Sequence, residues 1–125
     1  MYVLLLLLLI ILSYFVIIIG FSTLATFNLD KDYENYIHLR SLTYSGIWLA
    51  FQWIKNNPMS PLSQTTKSLP LGTINYQVSI FNTTTRIINV TSTLSFDLQT
   101  YMIYTGTATI NTSTGDIISI EGQIK

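Results

Sequence analysis

The 125-residue chain has no cysteine. That excludes disulfide staples, thiol nucleophiles and cysteine-held zinc. Histidine occurs once, as His38, and no Gly-rich phosphate loop is present. His38 has no nucleophile or orienting group nominated beside it, so general-base catalysis lacks its other members. Asp30, Asp32 and Glu34 are close in sequence, yet helical geometry spreads such positions over different faces. They read as a solvated charge cluster, with Asp97, Asp116 and Glu121 scattered far beyond. The expectation is no metal, no cofactor and no enzymatic activity.

Charge is scarce as well. Six basic and six acidic residues leave a formal net charge of zero, and only 10% of residues are charged. Lys31, Arg40, Lys55, Lys67, Arg86 and Lys125 are too dispersed to make the basic patch that phosphate recognition needs, so no nucleic-acid partner is expected. No Asp, Glu, Lys or Arg occurs before Asp30. Proline is confined to Pro58, Pro61 and Pro70.

What is present begins with "MYVLLLLLLIILSYFVIIIG". A 20-residue helix is about 30 Å long, which matches the hydrocarbon core of a bilayer. The block is longer than a signal peptide's apolar region, lacks a basic start and is followed by no clear small-residue cleavage site. A simple anchor usually carries Lys or Arg on its cytoplasmic flank. The expectation is that the chain starts after removal of a basic leader. Gly20, beside Ser22 and Thr23, is the expected place for a bend, because glycine costs about 1 kcal/mol relative to alanine in a helix.

Asn28 or Asp30 is expected to cap a second helical stretch, with Asp32 and Glu34 near its positive end. Leu39, Leu42, Gly46, Leu49 and Trp53 recur at helical spacing as one stripe. Tyr36, Tyr44, Ile47 and Phe51 make other sides apolar, which fits a helix with two partners. Asn57-Pro58 stops it. "NPMSPLSQTTKSLPLG" reads as an irregular loop.

From Thr73 the period changes to two. Ile74, Tyr76, Val78 and Ile80 alternate with polar residues, as do Ile88, Val90, Leu94 and Phe96. Met102, Tyr104, Ala108 and Ile110 follow, then Ile118, Ile120 and Ile124. Short turns at 82–85, 97–100 and 111–116 make this an antiparallel meander with one apolar face, for which the helix is the available cover. Thr105-Gly106-Thr107 marks either a bulge or a close packing point. The expected fold is α+β: a hydrophobic helix over 1–29, then a head over 30–125. The head is a helix over 30–56, a loop over 57–72 and a four-stranded sheet over 73–125. Sequons at Asn82, Asn89 and Asn111 are candidate glycan acceptors, or products of a Ser/Thr-rich composition.

This order, an uncharged helix continuing into a second helical half, a loop and an antiparallel sheet, resembles the type IV pilin superfamily over all 125 residues. "LRSLTYSGIWLAFQWIKNN" is similar to the pilin segment in which a small-residue pair precedes a helical run ending in Trp and a polar stop. The resemblance implies a precursor cut by a prepilin peptidase and N-methylated on its new first residue, here Met1. It further implies insertion in the cytoplasmic membrane, then extraction by a pilus assembly machinery into an extracellular homo-oligomeric filament. Leu4, Leu5, Leu8, Ile11, Phe15, Ile18, Phe21 and Leu24 would line the filament core. Leu5 stands where the family usually has Glu, a departure shared with tip pseudopilins and many archaeal pilins. Gly20 and Ser22 stand in for a helix-breaking proline. The rival readings are a membrane-anchored extracytoplasmic binding module and a minor tip subunit of a secretion system.

Overall fold

The computed structural model describes residues 2–96 and 101–124. The element order is α1 (Tyr2–Asn56), β1 (Leu62–Leu69), β2 (Gly72–Ile80), β3 (Thr85–Ser95), β4 (Tyr101–Asn111) and β5 (Ile117–Ile124). The chain divides into two compact units, one ending at Asn35 and one beginning at Tyr36.

Helix α1 runs without a break from Tyr2 to Asn56, so no second helix starts at a cap on Asn28 or Asp30. No proline occurs before Pro58, and the single glycine between Tyr2 and Ser45 is too small a penalty to break so long a run of helix formers. The hydroxyls that might compete with the backbone bond back to it instead. Ser13 donates to the Ile10 carbonyl at 2.9 Å, Thr23 to Ile19 at 2.8 Å and Thr26 to Ser22 at 2.9 Å. At the other end Asn57 closes the helix: its N–H reaches the Trp53 carbonyl at 2.9 Å and its Nδ2 the same oxygen at 3.2 Å. Pro58 then prevents continuation.

In the second unit the sheet has five strands in the order β1-β2-β3-β4-β5, all antiparallel. The meander and its α+β class are as expected; the strand count is one higher. The extra strand, β1, lies within the stretch 57–72 read as a loop. Its sequence, LSQTTKSL, is mostly polar because it is an edge strand with little burial, and its register shifts between Leu62 and Thr65. Both facts erase the alternation by which a strand is recognised. Pro70 and Leu71 make the turn between Leu69 and its partner Gly72. Gly72 has φ of 155°, and a Cβ there would collide with the Thr93 carbonyl, so that corner requires glycine.

The core forms where α1 lies on the sheet. Leu39, Leu42, Thr43, Gly46, Ile47, Ala50 and Ile54 are the buried helix residues. Their partners are Ile74 and Val78 of β2, Ile88 and Val90 of β3, and Tyr104, Ala108 and Ile110 of β4. Leu49 and Trp53, expected in the stripe, are only half-buried, while Ile47, Ala50 and Ile54 take the central places. Ile80 at the end of β2 and Phe96 just past β3 are exposed, and Leu94 is half-buried. Ile118, Ile120 and Ile124 also remain exposed, since β5 is an edge strand none of whose residues is buried.

Two glycines permit the close contact. A Cβ on Gly46 would sit 2.6 Å from Val90 Cγ1, and one on Gly106 would run into Thr43 Cγ2. Gly106 keeps regular register with Val90, so the Thr105-Gly106-Thr107 stretch is a packing point and not a bulge there. Polar groups inside are satisfied. Thr43 Oγ1 and Ser92 Oγ lie 2.6 Å apart, and both reach the Leu39 carbonyl, at 3.0 and 3.1 Å. Fully buried Arg86 donates to the Pro58 carbonyl from Nη2 at 2.6 Å and Nε at 3.1 Å. Its Nη1 donates to Asn82 O at 2.6 Å, which ties the chain after α1 to the β2–β3 turn.

Candidate functional site

The most extensive unsatisfied surface in the molecule is the first half of α1. Residues 2–29 contain no charged side chain, and the most apolar stretch of the helix has none of its length buried. It is long and apolar enough to cross a membrane. Leu4, Leu5, Leu8, Ile11, Phe15, Ile18, Phe21 and Leu24 are all exposed, Leu5 at 61%. Exposure is not confined to that face: Leu6, Leu7, Leu9, Val16, Ile17 and Ile19 are exposed too. An apolar helix with no polar side has no face suited to water, which is consistent with a membrane-spanning helix. The back-bonded hydroxyls of Ser13, Thr23 and Thr26 fit that environment, since the helix itself satisfies their donors. Met1, the expected methylation site, lies outside the described residues, as does the expected turn at 97–100.

The second unit carries a small polar cavity of about 220 Å³ between residues 36–47 of α1 and strands β4 and β5. Tyr36 and Tyr104 meet edge to face there, with ring centroids 5.9 Å apart. Burial, followed by the nearby Tyr36, pushes the Tyr104 phenol above its ordinary pKa. Arg40 sits 5.5 Å from the Tyr44 ring centroid and donates to the Tyr44 hydroxyl from Nη2 at 3.2 Å. That hydrogen bond holds the exposed guanidinium above its usual pKa, so Arg40 is a permanent cation. Gly122 faces Tyr104, and a side chain there would displace the ring.

On the other side of α1 runs an open groove of about 710 Å³, bordered by β1. Ile37, Trp48, Leu49 and Leu69 give it an apolar surface, and Arg40 and Lys67 give it charge. Sequence reasoning missed this groove. Its strand wall was read as loop, and the pairing of Arg40 with Lys67 exists only once β1 is placed beside β2.

The three sequons fall in two settings. Asn82 Oδ1 accepts from the N–H groups of Thr84 at 2.9 Å and Thr85 at 2.7 Å, which forms the β2–β3 turn. Asn111 Oδ1 accepts from Ser113 N at 2.9 Å, and Thr112 N donates to Thr84 O at 2.7 Å. These two sequons therefore share one end of the sheet. Asn89 lies within β3, where its Oδ1 accepts from Thr107 Oγ1 at 3.1 Å.

Among the described residues no three His, Asp or Glu side chains come together in a way that could hold a metal ion. Asp30, Asp32 and Glu34 are exposed along α1. No protein-family model, curated protein or solved structure matches this chain.

Proposed function

We propose that the chain is a structural subunit of a type IV pilus-like filament, assembled through the first half of α1. The observation that supports this reading is the apolar helix exposed on every side and joined, without a break, to a helix half that carries a folded head. The head is built to be exposed: the outer face of its sheet presents Asn75, Gln77, Asn89, Thr91, Thr105 and Thr107.

The energetics set what such a helix can do. Fully burying a Leu, Ile or Phe side chain is worth about 1.5–3 kcal/mol relative to water. Eight such residues, Leu4 through Leu24 of the proposed core, therefore represent on the order of 10–25 kcal/mol per subunit. In lipid that energy is already gained, so helices exchange lipid contacts for helix contacts at little net gain. Once in a filament outside the membrane, the same term opposes release into water. A single repeated head-to-tail contact whose rotation does not close generates the helical polymer.

Mechanical shearing of intact cells is the test. The expected result is ordered filaments composed of this chain in the sheared fraction. Recovery solely as a detergent-soluble monomer from membranes would favour the anchored binding module and defeat the filament reading. Low-copy incorporation into filaments made of another protein would make it a tip or priming subunit.

A further inference from the structure

Five strands about 4.8 Å apart make a sheet face roughly 19 Å wide between its outer strands, whereas a helix with its side chains is about 10 Å across. The helix therefore covers the middle strands and leaves a margin at each edge, as the unburied β1 and β5 show. On the β1 margin this becomes the 710 Å³ groove. Trp48, 60% exposed, stands at its side. Its two charged lining residues, Arg40 and Lys67, are both cations. Among the described residues neither forms an ion pair; Arg40 bonds only the Tyr44 phenol.

The same chain carries a surface of opposite charge and matching apolarity. Along α1, Phe27, Asp30 and Glu34 are spaced i, i+3 and i+7, which puts them on one face. Phe27 is 66% exposed, and both acids are exposed. Asp32 points to the opposite side by the same geometry.

We infer that the groove receives the Phe27–Glu34 face of a neighbouring copy running in the same direction, with Phe27 against the Ile37 side and Asp30 and Glu34 facing Arg40 and Lys67. The inference rests on the filament reading and specifies one of its contacts. It is a heterologous contact: each copy offers one groove and one acidic face, so the array propagates and leaves one of each open at its ends. Apolar area supplies adhesion, and the charges fix register and exclude wrong docking. Opposite copies of the groove repel each other, which disfavours a closed groove-to-groove dimer.

Charge exchange tests this in the assembling full-length protein. Asp30→Lys or Lys67→Glu alone should lower filament yield by up to about fivefold, the upper range of one solvent-facing charge pair. The Asp30→Lys/Lys67→Glu chain should recover most of that yield, because the pair is restored with its sign reversed. Both residues are exposed, so loss of folding is not the expected cause of a defect. The absence of native cysteine allows a second readout that does not depend on yield. Filaments grown from a mixture of Asp30→Cys and Lys67→Cys chains should form a disulfide-linked dimer under mild oxidation. An Asp30→Cys and Asn75→Cys mixture should not, since Asn75 lies on the outer face. If wild-type filaments form but the double exchange is no better than the singles, or the 30–67 pair fails to cross-link, the groove assignment is wrong and the filament reading stands. If the wild-type chain forms no filaments, both fall.

Discussion

Gly46 decides how closely α1 approaches the sheet, and its replacement by alanine sets two known effects against each other. On an exposed helix, Gly→Ala is stabilising by about 1 kcal/mol. Here the added Cβ would lie 2.6 Å from Val90 Cγ1 and 3.4 Å from Cγ2. Val90 has no exposed surface, and β3 is paired on both sides, so the valine has little room to yield. Overpacking of this kind costs roughly 1–3 kcal/mol. Because Val90 cannot yield, the cost falls in the upper part of that range, about 2–3 kcal/mol, and Gly46→Ala should destabilise the head by about 1–2 kcal/mol net. Val90→Ala alone removes two methyl groups and leaves a cavity, at a cost of roughly 2–3 kcal/mol. In the double variant the new methyl occupies part of the space that Val90 vacates. The sum of the single effects should therefore exceed the double effect by at least about 1 kcal/mol. Urea unfolding of the full-length protein in detergent, followed by the fluorescence of half-buried Trp53, measures all four corners of the cycle. A Gly46→Ala protein as stable as the parent, or strictly additive effects, would refute the close-packing argument.

Two further predictions concern groups inside the head. Arg86→Met should destabilise by about 2–4 kcal/mol, because the carbonyls of Pro58 and Asn82 lose charge-assisted donors at 2.6 Å. Amide hydrogen exchange should then accelerate around residues 58–60 and 82–85 before the central strands are affected; unchanged exchange there would contradict a tethering role. Tyr104 gives a pH dependence of defined sign. Its folded pKa lies above the ordinary 10.0, so its contribution is constant at lower pH and is lost as pH rises past 10 through the folded value. Tyr104→Phe should lose less stability than the parent as pH rises above 10, and parallel stability curves would show that ionisation there is not coupled to folding.

Much of the architecture is legible in the sequence because it rests on local periodicity. The uncharged run before Asp30, the helical spacing through Leu39, Leu42 and Gly46, and the alternations around Ile74, Ile88 and Tyr104 each report one element with little help from its neighbours. The central strands come out nearly to the residue, since one face of each is buried and a one-residue slip would expose it. Where the reading fails, the local signal is weak or misleading. Gly20 and Asn28 carry the marks of a helix break, yet with no proline nearby their penalties are too small to interrupt the backbone ladder. LSQTTKSL carries the marks of a loop, because an edge strand needs no buried face. "PLG", Pro70 to Gly72, held the turn signal that should have turned that loop into a hairpin.

The proposed assembly surfaces divide in the same way. The apolar stretch Leu4 to Leu24 is visible from composition alone, because an apolar side chain declares its preference for leaving water wherever it stands. The groove is not visible, because a pocket is a relation between distant segments. Arg40 and Lys67 are 27 positions apart and become neighbours only when β1 pairs with β2 and α1 lies across the sheet. Likewise Gly46, Gly106 and Gly122 look like weak points in regular elements until Val90, Thr43 and Tyr104 are packed against them. Sequence by itself determined which stretches must leave water and with what period. Tertiary structure alone decided which surfaces they met and which were left over, since burial is satisfied by any apolar partner and the pairing of strands and helix selects among them.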